Sequence, residues 1–291
     1  MDKAFLHSIA GIHSKNHDPR IKDWASNMAA DNFTIQDPQY KELIQGVPLR
    51  RLGGLLRTAL ACSQTLVNEL GTPDGIIVST GLGCLTDTKK FLLEIAQYDN
   101  PSPTSFIHST HNTVAGQLGL HLKCHGYNVT HTNLGACLEM GILDATLQKD
   151  GWYLVGGIDE NIDWLYQLAS THTDDLKPGF GAHFMAVSNQ PSEVEIAEVR
   201  AVRVDESEQA EMVKGFLKEF EEEGAMIFTN KAFAGLNEQS VDYSQHSGAY
   251  VANSGFGIEM AWQHVKETSS SAVVINANSS KEIGLTLLRH A

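Results

Sequence analysis

Residues 127–157 read YNVTHTNLGACLEMGILDATLQKDGWYLVGG, and the succession of patterns in this stretch decides the fold. Tyr127 to Thr132 has the β-branched residues of a strand, and Leu134 to Gln148 carries apolar residues at helical spacing. Trp152 to Gly156 is an apolar run that ends on Gly156-Gly157. Strand, helix and strand within about thirty residues form a βαβ unit, whose crossover makes the two strands parallel.

Outward from this unit the same alternation continues. Arg50 to Leu70 repeats leucine and alanine at helical spacing and stops at Gly71 and Pro73. Gly75 to Thr80 (GIIVST) is the short continuous run of a strand covered on both faces, turned by Gly81 and Gly83. Lys89 to Tyr98 and Val114 to Cys124 read as helices, and Lys3 to Ile12 as an opening strand. The stretch from there to Pro48 is broken by Asn, Asp and Pro and reads as a surface excursion.

Beyond a polar segment, Thr171 to Lys177, the strands Phe180 to Val187 and Val194 to Val204 precede an amphipathic helix, Glu206 to Glu223. Ala225 to Thr229, a helix over Phe256 to Val265, Ala272 to Ala277 and Ile283 to His290 complete a second α/β series. Two halves of similar element order, 1–175 and 176–291, are expected to form one compact unit.

The chain has 291 residues, 42% of them hydrophobic, enough for a full core and incompatible with a disordered or fibrous protein. A net charge of −14 and a pI near 5.3 exclude nucleic acid and anionic membrane as partners, because phosphate binding needs clustered Lys and Arg. No apolar run reaches the length of a membrane span, and the N-terminal stretch lacks the flanks of a signal peptide, so a cytoplasmic location is expected. Cysteines at 62, 84, 124 and 137 lack C-x-x-C spacing and are expected as thiols. The thirteen histidines include His108/His111 and His121/His125, but no third ligand stands near either pair, so no metal is expected.

Six stretches then carry a resemblance: PLRRLGGLLRTALA (48–61), GIIVSTGLGCLTDTKKFL (75–92), NPSPTSFIHSTHNTVAGQLGLHLKCHG (100–126), WYLVGGIDE (152–160), PGFGAHFMAVSN with EIAEVRAV (178–189 and 195–202), and SSAVVINANSSKEIGLTLLRH (270–290). In this order they resemble the β-ketoacyl synthases. Asn112, Ala115, Gly116 and Gly126 match the family's Asn-x-x-Ala-Gly helix and the glycine that closes it. The resemblance implies an α/β, thiolase-like fold in two pseudo-duplicated halves with αβαβα layers, an acyl carrier protein as partner, and no cofactor.

Where the family's chemistry would lie, the residues depart from it. A condensing cysteine belongs at a helix N-terminus, where backbone N–H groups favour thiolate. Counting along the resemblance puts that position at Thr132 or Asn133, neither able to carry a thioester. Cys137, in an Ala-Cys pair like the family's, is the alternative nucleophile, but Glu139 beside it would raise the thiol pKa.

The first catalytic histidine's place, after the strand Ala225 to Thr229, reads Asn230-Lys231-Ala232-Phe233-Ala234-Gly235. The second corresponds to Val241 to His246, which keeps His246, and the Gly-Phe-Gly-Gly turn reads Asn276-Ala277-Asn278-Ser279-Ser280. The second half is also contracted.

These departures give three readings. One is a non-catalytic subunit of the chain-length-factor type, paired with an active ketosynthase through the strand Asn128, Thr130 and Thr132 and the nearby Asn112. Another is an active acyltransferase using Cys137 with His246 or His111, and the third a homodimeric acyl-binding scaffold.

Overall fold

A computed structural model describes residues 3–21, 38–44, 46, 49–97, 101–170, 179–222, 224–230, 240–277 and 281–291. Most of the stretch before Pro48, the segment Thr171 to Lys177, and residues 231–235 and 278–280 lie outside them.

Among the described residues, ten strands make one sheet: β1 (Ala4–His13), β2 (Gly75–Thr80), β3 (Tyr127–Thr132), β4 (Trp152–Asp159), β5 (Gly181–Ser188), β6 (Val194–Arg203), β7 (Met226–Thr229), β8 (Ser240–Asp242), β9 (Ala272–Ala277) and β10 (Glu282–His290). Their order, β3-β2-β4-β5-β1-β6-β10-β9-β7-β8, is a palindrome of two five-stranded halves. Subtracting five from each strand number in the second half turns it into the first half, reversed. β2 is parallel to β3 and β4, as the βαβ pattern requires, and β7 is likewise parallel to β8 and β9. The halves join where Ala4 to Leu6 of β1 pair with Val194 to Ile196 of β6. Strand order thus groups β5 with β1 to β4, and the two series of five strands meet between Ser188 and Val194.

The eight helices that matter here are α1 (Gly54–Leu70), α2 (Leu85–Gln97), α3 (Pro103–His108), α4 (Thr113–Leu122), α5 (Cys137–Thr146), α6 (Asp163–Ser170), α7 (Gln209–Glu219) and α8 (Ser254–Thr268). Strand side chains alternate between faces, so the sheet feeds three separate cores. On one outer face, Ile76, Val78, Leu154, Ile158 and Phe184 pack under α1 and α4. On the other, Ile227, Val273, Ile275, Leu285 and Leu287 pack under Val213, Phe216 and Leu217 of α7. The inner faces, with Ile9, Ile77, Val155, Met185 and Val274, close on Leu138 and Ile142 of α5 and on Phe256, Met260, Ala261 and Val265 of α8.

Helices, half-sheet, α5 with α8, half-sheet and helix give the five αβαβα layers expected. Burying these inner side chains contributes roughly 1.5–3 kcal/mol each. The second half keeps all five strands of the repeat, so the contraction falls on connections. The β2-to-β3 crossover spans residues 81–126, while the β7-to-β8 crossover spans residues 230–239.

Candidate functional site

The C-terminal ends of parallel strands are where open α/β sheets bind ligands, and here Thr80, Thr132 and Asp159 end β2, β3 and β4. Asp159 is buried and acts as a four-way acceptor. Its Oδ1 takes hydrogen bonds from Thr80 Oγ1 at 2.8 Å and from the Gly81 and Leu82 N–H groups at 3.0 Å each, and its Oδ2 takes one from Ala252 N at 2.8 Å. Thr80 Oγ1 in turn accepts Gly83 N–H at 2.9 Å, and Gly83 sits at φ +60°, where glycine is favoured. Burial pushes the Asp159 carboxyl above the usual carboxylate range, and the four donors pull the other way.

The helix expected from Leu134 begins at Cys137. Asn133 continues the sheet by donating to the Thr80 carbonyl at 3.3 Å, and its side-chain amide donates to the Gly135 carbonyl at 2.8 Å. Ala136 then takes the left-handed conformation, φ +47°, and caps α5. The left-handed turn that leads into α5 thus falls on Ala136, three and four residues past Asn133 and Thr132. Thr132 is exposed at the end of β3 and Asn133 is half-buried.

Cys137 is fully buried against Tyr250 and Ala252. Burial first, then the Asp159 and Glu139 charges, push its thiol well above the ordinary cysteine value. The helix dipole acts in the opposite sense, and burial wins.

Glu139, one residue past Leu138 in the first turn of α5, is buried and accepts from Asn276 Nδ2 at 3.1 Å. Asn276 also reaches Ser254 Oγ at 3.3 Å, and its Oδ1 accepts from Asn230 Nδ2 at 3.0 Å. Asn230 Oδ1 closes the chain by accepting Ala277 N–H at 2.8 Å. An interlocked pair of amides thus joins the ends of β7 and β9, at the places where the resemblance puts a histidine and a glycine turn. Burial raises the Glu139 pKa against the hydrogen bonds from Ser254 and Asn276.

His246 lies half-buried in the single turn Ser244–Ser247. Its charge bears on His13 at the end of β1, and His13 stacks on His183 of β5 at 5.7 Å between centroids and tilts against Phe256 of α8 at 4.3 Å. His183 Nε2 is 3.3 Å from Glu259 Oε2, and Tyr250 Oη lies 3.5 Å from its Nδ1. Spacing in the sequence gave no sign of this grouping, because each histidine comes from a different element.

Burial, helped by His183, His17, Lys15 and His246, holds the His13 pKa well below 6.5. Unfolded, His13 titrates near ~6.5, so below that pH the unfolded chain takes up a proton that the folded chain refuses. The stability tied to a neutral His13 is complete above the unfolded value and is lost as pH falls through the folded one. Its loss is expected to reach about 1.4 kcal/mol per pH unit. Asp159 and Glu139, raised by burial, act oppositely, so the measurement is a difference: urea midpoints of wild type and His13→Phe from pH 7 to 5 should diverge, wild type falling more steeply.

At the edge of the sheet, β3 pairs with β2 alone among the described residues. Thr130 Oγ1 donates to Asn112 Oδ1 at 3.2 Å, and Asn128 Nδ2 donates to the Ala115 carbonyl at 2.9 Å, so Asn112, Asn128 and Thr130 come together where α4 begins. Asp144 of α5 accepts Tyr127 Oη at 3.0 Å and lies 2.9 Å from His131 Nε2. His111 is exposed, its ring packed over Gly83. Leu134 just after β3, Leu120 of α4, Met140 of α5 and Leu147 just after α5 are exposed. Among the described residues no group of three or more His, Cys, Asp or Glu could hold a metal, and no helix is long and apolar enough to cross a membrane.

Duplicated five-stranded halves around two central helices define a thiolase-like fold. The chain belongs to the β-ketoacyl synthase family: the family described as "Beta-ketoacyl synthase, N-terminal domain" matches residues 22–226, more than half of it. Similar solved structures include the ishigamide ketosynthase/chain length factor, with TM-score 0.75, 15% identity and 99% of each chain covered. Another is AntDE:AntF, a type II polyketide synthase acyl-carrier protein in complex with its ketosynthase bound to the hexaketide, with TM-score 0.75, 11% identity, and 100% of this chain and 99% of that one covered. A third is the ketosynthase ApeO in complex with its chain length factor ApeC from Xenorhabdus doucetiae, with TM-score 0.70, 10% identity, and 100% and 98% covered. At these identities the likeness is one of fold. No curated protein matches the sequence.

Proposed function

We propose that this chain is a non-catalytic, chain-length-factor-type subunit that pairs with an active β-ketoacyl synthase. It would act in the cytoplasm with an acyl carrier protein, in fatty-acid, polyketide or aryl-polyene-type synthesis. The observation that carries this is the N-terminus of α5, where the left-handed turn falls on Ala136 and the one nearby thiol, Cys137, is buried and held protonated. The amide pair Asn230 and Asn276 supports it, since neither side chain titrates and neither can serve as a base. The names of the solved structures of the same fold, which pair ketosynthases with chain length factors, point the same way.

The pairing surface in this reading is the edge of β3, where among the described residues no further strand follows in the sheet, together with the exposed Leu134 just beyond it. Co-expression with a cysteine-containing ketosynthase from the same gene neighbourhood should give a one-to-one complex by size exclusion with light scattering. Leu134→Glu, at a position 59% exposed, should weaken that complex at least tenfold while shifting the stability of the free chain by no more than ~0.5 kcal/mol. A stable complex of two copies of this chain alone would favour the scaffold reading. A mass increase on incubation with an acyl carrier protein thioester, abolished by Cys137→Ala, would overturn the proposal.

A further inference from the structure

At the opposite end of the sheet, where β2 and β4 begin, a cleft of about 290 Å³ is lined by His7, Leu70, Asp74, Gly151, Trp152, Ser188 and Gln190, the Asp74 carboxylate accepting the Trp152 N–H at 3.0 Å. Two observations set it apart from an ordinary surface groove. His7 Nε2 and Ser188 Oγ are 2.8 Å apart on neighbouring strands. His7 also occupies a β-bulge: Leu6 pairs with Val187 and Ser8 with Ala186, which leaves His7 as the extra residue. A bulge re-aims a side chain and is over-represented next to reactive sites. Here it turns the imidazole to the side of the sheet on which Ser188 and the apolar wall of Leu70 and Trp152 lie.

We propose that, separate from the condensing chemistry that the subunit reading denies to α5, Ser188 is an acyl-accepting nucleophile activated by His7, and that the cleft takes the acyl group of a small carboxylic ester. Ser188 Oγ forms the new bond to the carbonyl carbon as its proton passes to His7 Nε2. The bond from that carbon to the leaving oxygen then breaks, and the His7 proton goes to the departing alcohol. Water, deprotonated by the same nitrogen, cleaves the Ser188 ester, releases the acid and restores the serine. Burial lowers the His7 pKa against an opposing hydrogen bond with the Gln190 backbone, which keeps the ring neutral and able to accept at pH 7. The Gln190 N–H, 3.0 Å from Ser188 Oγ, holds the hydroxyl in place. The volume suits a short acyl or aryl group rather than a long chain.

The test is incubation of the whole chain with p-nitrophenyl acetate and, separately, with a fluorophosphonate, followed by intact mass and peptide mapping. The expected result is one adduct on the peptide holding Ser188, absent in Ser188→Ala and formed at least tenfold more slowly in His7→Gln, with a wild-type rate that rises with pH and is flat above about pH 7. The idea is overturned by an absence of label at Ser188, or by a label whose rate neither His7→Gln nor pH alters. Label on the Cys137 peptide would bear on the proposed subunit role and not on this cleft, and mapping separates the two.

Discussion

Replacing Asp159 with Asn is expected to lower the unfolding free energy by about 2–4 kcal/mol, a loss read from the urea midpoint with the slope unchanged. All four partners of this carboxylate donate, three of them backbone N–H groups that cannot rotate away. An amide has one acceptor oxygen, so its NH₂ must face at least one of these donors inside a buried site. Asp159→Ala removes every acceptor at once and should cost at least as much. The result would also show whether the carboxyl, raised by burial, works as an acceptor or as a proton donor, since a donor role would make the Asn variant nearly silent.

Gly11→Ala is expected to cost about 3 kcal/mol, the upper part of the range for overpacking. A methyl group there would fall on Glu259 Oε2 and on the His183 ring, both buried and 3.3 Å from each other, so either must shift within a packed interior. Near-UV circular dichroism should weaken before far-UV, since the disturbed contacts tie β1 and β5 to α8 rather than supporting any one element. Equal loss of both signals at a single midpoint would mean that the junction and the sheet are one cooperative unit, with the cost still visible in that midpoint.

Much of the fold was legible because its strands are unusually plain. Runs such as GIIVST and WYLVGG, apolar on both faces, can lie only inside a layered sheet, and each was bounded by glycines. Helix α1 was legible from its apolar repeat, whereas α3 and α6, of six and eight residues, were too short to show a period. At the site, positions 132, 133 and 137 could be read as departures from the family's pattern, but the left-handed turn at Ala136 could not. A left-handed alanine leaves no mark in composition, since glycine or asparagine would be the expected residue at such a φ. Asp159 stood in the quoted stretch 152–160, yet its role depends on Ala252, which only the fold brings near. His13, His183 and Glu259 were invisible as a group for the same reason: contacts between distant elements have no local pattern.

The shared middle layer bears on how the chain is made. The inner faces of β1, β2, β4 and β5 find part of their cover in α5, but the rest is Ser254–Thr268, which leaves the ribosome long after Ser188. At the usual 5–20 residues per second, apolar side chains such as Ile9, Met185 and Val187 stand uncovered for several seconds during each synthesis. Apolar surface left open for that long invites association between nascent chains, and truncated products ending before α8 should collect in the insoluble fraction.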